Sequence, residues 1–344
     1  MKKKIITIII SILLLVTILG GIAAFMIYRQ INAPAFAITQ DKYIYISENG
    51  SYSGLLKQLE DSAHLKNTNL FNQLADRMKY SQNVKSGRYK VSPEISYLEI
   101  IRLLRNGSQE PIRLTFNNIR LKENLADRIE EQLMFNRNDL LECLNNQKVT
   151  KDLGFDTTTI LTLFIPNTYD IYWNTSAENF LIRMKNEYNR FWTDERIKKA
   201  EKIGLTPIEV SILASIVEEE TAVNSEYPIV AGVYLNRLKK GMLLQADPTV
   251  KFAVGDVTLR RILFKHLEVD SPYNTYRNLG LPPGPIRIPS IAGIDGVLNY
   301  AQHNYLYMCA KEDFSGTHNF AATLGEHTKS ARRYQEALNR AGIR

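Results

Sequence analysis

Three adjacent glutamates, Glu218, Glu219 and Glu220, close an otherwise apolar segment that includes Val210, Ile212, Leu213, Ile216 and Val217. A carboxyl group held among apolar side chains keeps its proton to higher pH than one in water, and the protonated form is what a general acid needs. Which of the three is so held depends on the element that carries them. Thr206-Pro207-Ile208-Glu209 reads as a helix start: Thr206 is a good N-cap, Pro207 suits the first helical position, and Glu209 can close a capping box. If the helix runs on to Thr221, side chains follow at about 100° per residue. Measured from Leu213, Val210, Ile216 and Val217 lie within about 60°, and Glu220 lies about 20° away, in the middle of the apolar stripe. Glu218 and Glu219 fall about 140° round one side and about 120° round the other. The spacing therefore predicts solvated Glu218 and Glu219 and a buried Glu220. An unpaired buried carboxylate is expensive. Glu220 either pairs with a base such as Arg237 or faces a substrate cleft with a raised pKa, and the helix geometry leaves both open.

The rest of the chain must hold that helix and place it in a compartment. The run Ile5 to Tyr28 is almost unbroken apolar sequence. At about 1.5 Å per residue it reaches roughly 36 Å, enough to cross a hydrocarbon core of about 30 Å. Its length, and the poor cleavage site at Phe25-Met26-Ile27-Tyr28-Arg29, favour an uncleaved anchor over a secretory signal. Three lysines precede it and one arginine follows, which puts residues 1–4 in the cytoplasm and the body outside. The formal charge is +7, and Lys2, Lys3, Lys4 and Arg29 supply four of those charges. The remaining +3 is no nucleic-acid footprint, so no nucleic-acid partner is expected. Cys143 and Cys309 fit no zinc pattern, and they are either a disulfide or two free thiols. His318 and His327 have no carboxylate or cysteine at ligand spacing, so neither a metal nor a cofactor is expected.

After the apolar run, residues 29–40, with Asn32-Ala33-Pro34-Ala35, read as a linker. Residues 41–112 read as a small α+β unit: a strand at Tyr43–Ile46, helices at Ser51–Asp61 and around Leu70–Met78, a turn into a strand at 85–91, and a helix at Ile95–Leu104 stopped by Asn106-Gly107. Residues 113–344 read as a larger, α-rich mixed domain. A strand candidate at Ile112–Phe116 precedes helices at Leu121–Leu133 and Leu140–Asn145, and a helix or helix pair spans Ala177–Ile203. The stretch 243–320 is rich in Pro, Asn, Gly and Tyr and predicts long ordered loops, with a last helix over Ser330–Ala341. The fold class is thus α+β behind a transmembrane helix.

The run Ala214-Ser215-Ile216-Val217-Glu218-Glu219-Glu220-Thr221-Ala222 resembles the catalytic signature of the MltG/YceG-like endolytic murein transglycosylases. Further blocks follow in that family's order: Asn236-Arg237-Leu238, Gly241-Met242, Gln245-Ala246-Asp247-Pro248-Thr249-Val250, Ser271-Pro272-Tyr273-Asn274-Thr275-Tyr276, Gly280-Leu281-Pro282-Pro283-Gly284-Pro285-Ile286, Gly316-Thr317-His318-Asn319-Phe320 and Glu326-His327. The family's catalytic glutamate, the second acid of a Glu-Lys-Glu-Thr pattern, falls on Glu220. This chain departs from the pattern at Glu219, where the family often has Lys, and at Asn167, where it usually has Asp. The resemblance implies that the small unit is LysM-like and that residues 113–344 are the catalytic domain.

It also implies a chemistry. Glu220 would protonate the glycosidic oxygen between N-acetylmuramic acid and N-acetylglucosamine in a peptidoglycan glycan strand. The carboxylate left behind would take the proton of the muramyl 6-hydroxyl as that oxygen attacks the anomeric carbon, giving a 1,6-anhydro end. An internal nucleophile needs no second carboxylate. Substrate-binding roles are expected of Gln245, Asp247, Tyr273, Asn274, Tyr276 and His318, since aromatic faces stack on pyranose rings and amides bond their hydroxyls. Each also has a plainer reading, Asp247 as a turn residue and the tyrosines as loop packing. The implied partners are glycan strands, the cell membrane and peptidoglycan synthases. Two rival readings stand beside this one: a glycosidase that uses water, with Glu218 as a second carboxylate, and a non-catalytic wall-binding scaffold.

Overall fold

The structure is a computed structural model that describes residues 2–256, 259 and 262–342. Met1 of the expected cytoplasmic tail and Ile343 and Arg344 at the end of the expected second domain lie outside the described residues. The chain divides into two compact units. The first comprises Met1–Arg113 together with Asp170–Thr175, and the second Leu114–Tyr169 with Ser176–Arg344. Both mix helix and strand.

The first unit begins with helix α1 (Lys2–Ile31), whose side chains from Lys4 onward are almost all exposed. From Lys4 to Ile31 it is long and apolar enough to cross a membrane. Within the segment read as a linker, the helix continues to Ile31, and the residues that follow are built into the unit. Ala35 donates its N–H to Ile95 O, Lys66 donates to Ala35 O, and Phe36 is buried. Strand β1 (Lys42–Ile46), helices α2 (Tyr52–Ala63) and α3 (Thr68–Arg77), strand β2 (Gly87–Val91) and helix α4 (Tyr97–Asn106) complete it. Each helix starts where a side chain takes an orphan N–H: Ser51, Asn67, and Ser96, which forms a capping box with Glu99. Gly107 ends α4 at φ 72°, a left-handed cap that glycine adopts without a Cβ clash. β1 and β2 are antiparallel with Ile44 opposite Tyr89, and alternation sends Ile44, Ile46, Tyr89 and Val91 inward. Those residues close a core with Leu59, Phe71, Tyr80, Ile100 and Leu104. The returning segment 170–175 packs Trp173 edge-on against Tyr45 at 5.1 Å and ties Asn174 to Ser86.

The boundary falls within β3 (Ile112–Thr115), and the second unit continues with helices α5 (Lys122–Glu130), α6 (Arg137–Asn145) and α7 (Gln147–Asp152). After β4 (Thr168–Ile171), the expected 177–203 element is a pair, α8 (Ala177–Phe191) and α9 (Asp194–Lys202). Thr193 caps the start of α9. Helices α10 (Pro207–Glu220) and α11 (Tyr227–Lys239) form the centre, joined by a 3-10 turn at Asn224–Glu226. α12 (Asp247–Val254), α13 (Phe264–Leu267) and α14 (Ile291–Leu298) follow, then a hairpin of β5 (Tyr307–Ala310) and β6 (His318–Ala321), and finally α15 (Leu324–Arg340). Within 243–320 these short elements are set between ordered loops, one of which runs over residues 268–290. The four-residue strands β5 and β6 carry too little alternation to stand out in sequence. Cys143 and Cys309 are both free thiols.

α10 packs against α11, α12 and α14, and every residue from Val210 to Glu218 is buried. Its predicted start holds: Thr206 Oγ1 accepts from Glu209 N at 3.2 Å, and Glu209 Oε2 accepts from Thr206 N at 2.8 Å. The small residues on the neighbouring helices permit the close packing. A Cβ at Gly293 of α14 would lie 2.4 Å from Glu218 Oε1 on α10, and one at Gly232 of α11 would lie 2.6 Å from Ala301 O in the segment that follows α14.

Candidate active site

Glu220 occupies the last position of α10, where the helix emerges from the core into a cleft of about 250 Å³. The cleft is walled by α11 (Val233, Tyr234, Arg237), by the turn into α12 (Leu244, Gln245, Asp247), by Tyr276 from the following loop, and by the β5–β6 hairpin (Met308, Cys309, Ala310, His318). Tyr234 donates its hydroxyl to Glu220 Oε1 at 2.7 Å. Burial pushes the Glu220 carboxyl up to about 7; the Tyr234 hydrogen bond opposes that rise and the charge of Asp247 adds to it. Tyr234 itself is held well above its ordinary range, first by burial and then by the charge of Glu220, so it remains the donor. Of the two environments left open for Glu220, the cleft is the one observed. Arg237 turns instead to backbone carbonyls, giving Nε to Leu306 O at 2.6 Å and Nη1 to Leu244 O at 2.8 Å.

The neighbouring glutamates do not match their expectation. Glu218 is buried, not solvated: Oε1 accepts from Ser290 N at 2.9 Å and from the Ser290 hydroxyl, and Oε2 lies 3.4 Å from Arg287 Nε. Glu219 is mostly buried and bridges two arginines, 2.7 Å from Arg120 Nη2 and 3.0 Å from Arg287 Nη1. The physical reason is that α10 has no solvent side. It is central, so the face opposite its apolar stripe is also covered, and the carboxylates there are met by Arg120, Arg287 and the N-terminus of α14.

The other expected residues divide. Gln245, Asp247, Tyr276 and His318 line the cleft with Glu220. Asp247 Oδ1 accepts the Tyr276 hydroxyl at 2.6 Å, and burial together with that bond raises the Tyr276 hydroxyl. Gln245 is exposed and takes a left-handed backbone (φ 49°) that is unusual for a residue with a Cβ. Asn274 and Tyr273 do not line the cleft. Asn274 is fully buried and gives its amide to Leu267 O and Val269 O, each at 2.9 Å, which folds the loop upon itself. Tyr273 packs its ring 4.7 Å from Phe252. Their neighbour Thr275 pins the loop to the start of α12: its Oγ1 accepts from Ala246 N at 3.0 Å and meets Thr249 Oγ1 at 2.8 Å. These contacts bring Tyr276 to Asp247. Asn236 is likewise structural, bonding His303 O and Tyr305 O.

Sequence reasoning missed Tyr234 and Glu226. Tyr234 lies on a helix that is apolar nearly all round, and its only signal is a polar tip that needs a buried partner. Glu226 accepts from His318 N (2.8 Å), His318 Nδ1 (2.8 Å) and Thr221 Oγ1 (2.9 Å). Burial alone would raise its carboxyl; the bonds from His318 and Thr221 outweigh burial and hold it below the ordinary range. No group of three or more His, Cys, Asp or Glu side chains placed to hold a metal occurs among the described residues.

Comparison with known proteins adds an independent line. The model of the YceG-like family matches residues 44–333. An endolytic murein transglycosylase of Bacillus subtilis (strain 168) is 38% identical over 169 residues, which cover 48% of this chain and 45% of that protein. The protein of that name from Streptococcus pneumoniae (strain D39) is 32% identical over 153 residues, 42% of this chain and 27% of that protein. The chain thus spans less than half the length of these curated relatives. A crystal structure of a yceG-like protein from Listeria monocytogenes superposes with a TM-score of 0.55 at 28% identity, over 85% of this chain and 99% of that one.

Proposed function

The chain belongs to the YceG-like family, and we propose that it is an endolytic lytic transglycosylase that cuts peptidoglycan glycan strands with Glu220 as the single acid/base residue. The observation that carries this reading is the state of Glu220: a carboxyl raised to about 7 in a cleft, hydrogen-bonded by Tyr234, while its two neighbours are bound up in ion pairs. Near neutral pH such a group carries its proton for much of the time and can give it to a glycosidic oxygen. The carboxylate that results is then within the same cleft as the 6-hydroxyl of the muramyl residue, whose proton it takes. The hydroxyl oxygen closes on the anomeric carbon, and the MurNAc–GlcNAc bond breaks to leave a 1,6-anhydro end. Gln245, Asp247, Tyr276 and His318 supply hydrogen-bonding groups for sugar hydroxyls and N-acetyl amides around that point. Asn274 and Tyr273 act on the substrate only by shaping the loop.

A second reading, hydrolysis by water, draws on Asp247, the other carboxylate in the cleft. Glu218 does not serve it, because both of its oxygens are taken. Mass analysis of products from purified glycan strands separates the two. New 1,6-anhydro-muramyl ends support transglycosylation, and new reducing muramyl ends in their place would overturn it.

The order strand, helix, helix, strand in the first unit supports a LysM-like unit that engages glycan without doing chemistry. The domain reading follows: residues 5–28 as the anchor, 41–112 as the LysM-like unit and 113–344 as the catalytic domain, with the returning segment 170–175 completing the first unit. With the lysines that open α1 inside the cell, the body lies outside the cytoplasm, where strands and the synthases that make them are found.

A further inference from the structure

Glu226 binds two walls of the cleft together, and neither the acid/base chemistry nor the charge pairs explain why a carboxylate is spent there. It lies in the short turn between α10 and α11 and is almost fully buried. Its Oε1 takes the backbone N–H of His318, and its Oε2 takes both the Thr221 hydroxyl and the His318 ring nitrogen Nδ1. Thr221 directly follows Glu220, and His318 opens β6 on the hairpin wall. One carboxylate therefore ties the residue next to the proposed acid to a side chain that lines the same cleft.

The hydrogen-bond inventory places one of the ring's protons. An ionised carboxylate only accepts, so Nδ1 must carry a proton. In the neutral imidazole that leaves Nε2 as an acceptor. Among the described residues no protein group bonds Nε2, and His318 lines the cleft with side-chain exposure of 13%. An acceptor nitrogen with a fixed ring plane, in the same cleft as the proposed proton donor, suits a hydroxyl that must be held in one orientation.

We propose that Glu226 and His318 form a carboxylate–imidazole pair in which Glu226 positions the ring and His318 Nε2 accepts a hydrogen bond from a saccharide hydroxyl bound beside Glu220. The pair rests on the reading of the cleft as a glycan site. Glu226 is the positioning residue and touches no substrate; His318 does. The device resembles the way an outer carboxylate sets the tautomer of a working histidine elsewhere in protein chemistry.

The test uses the full chain in detergent micelles, labelled with 15N at histidine. The His318 signals are identified by their loss in His318→Phe. In the wild type, Nδ1 is expected protonated and Nε2 bare at mildly alkaline pH. Glu226→Gln keeps one oxygen, which the His318 N–H takes, and turns its amide NH₂ toward Nδ1. The ring should then invert, with the proton on Nε2. On purified glycan strands, Glu226→Gln and His318→Phe should each lower kcat/KM by about 10- to 100-fold. Adding Glu226→Gln to His318→Phe should cost less than about threefold more, because the carboxylate acts through the ring. His318→Gln, which restores an acceptor near the Nε2 position, should recover part of the loss. Melting curves recorded beside each assay separate a folding defect from a site defect. A wild-type ring protonated at Nε2, full activity in Glu226→Gln with an inverted ring, or an undiminished Glu226→Gln effect on the His318→Phe background would each overturn the pair alone. A wild-type chain that neither binds nor cleaves glycan would overturn the functional reading and the saccharide half of the pair together.

Discussion

Among the described residues the Glu220 carboxyl has one hydrogen-bonding partner, Tyr234, and it lines the cleft. Its raised pKa has a sign that can be followed in three measurements. As a general acid it must start protonated, so kcat/KM should fall as pH rises through about 7. A rate that instead climbed from pH 7 to 8.5 would mean that the ionised form starts the reaction and would remove the acid-first mechanism. Tyr234→Phe deletes the bond that favours the charged form, so the alkaline limb should move to higher pH; an unmoved limb would show that Tyr234 does not tune the acid. Glu220→Gln should lower turnover by at least about 100-fold, because the amide has no proton of this acidity to give. The same variant should be the more stable protein in alkali. A carboxyl whose folded pKa is raised stabilises fully below its unfolded value and loses that contribution as pH rises through the folded one. The wild type therefore carries the burden of a buried charge at pH 8, up to about 3 kcal/mol, and the glutamine variant does not. The difference in melting temperature should be large at pH 8 and small at pH 5, and a gap independent of pH would contradict the burial argument. At this scale the sequence was a guide to which way Glu220 faces, because residue spacing on a helix is nearly invariant. It was a poor guide to Asn274, since an amide that organises a loop and an amide that binds sugar look alike in sequence.

At the scale of elements, the site depends on how α10 ends against α14. Glu218 is not a spare acid but a bolt: it accepts from Ser290 at the N-terminus of α14 and sits against Arg287. The open end of a helix favours negative charge, which adds to the bonds. Glu218→Gln should therefore be a stability lesion, of about 1–3 kcal/mol, with activity lost through misplacement of Glu220. Gly293→Ala tests the same contact from the other side. Its methyl would meet Glu218 Oε1, Cδ and Cγ, all within 3 Å, with no room for the carboxylate to retreat from its arginine. A loss of about 1–3 kcal/mol is expected in denaturant melts, and an unchanged midpoint would show that the packing is looser than described. The start of α10 was legible, since the Thr206–Glu209 capping box and Pro207 are local chemistry. The fate of Glu218 and Glu219 was not. A helical wheel assumes one wet face, and α10 has none; which arginines arrive from positions 120 and 287 is decided by tertiary structure. The β5–β6 hairpin that supplies one cleft wall was hidden for a related reason, as two four-residue strands can show almost no period.

For the molecule as a whole, the informative segment is the one between the apolar helix and the folded body. Composition read residues 29–40 as a tether, which at full extension would reach about 40 Å. In the structure α1 runs to Ile31, and Ala35 and Phe36 are already part of the first unit's core. Only Asn32 to Pro34 intervene, and three residues span at most about 10 Å. Under the membrane reading, the first unit is held at the bilayer surface rather than hung from it. Two changes to the full chain follow. Phe36→Ala removes a buried ring from the first unit and should destabilise it by about 3–5 kcal/mol, which a true linker residue would not do. Inserting about twenty Gly/Ser residues after Asn32 leaves the core intact and adds roughly 25 Å of average reach. Purified in detergent, that longer chain should cut isolated strands at the wild-type rate. In cells, at equal abundance, it should fail to replace the original, because a body on a longer tether is spread through a larger volume and meets strands less often as they are made. Full replacement by the longer chain would reduce α1 to a delivery device, and the argument from proximity would fall while the chemistry of Glu220 stood.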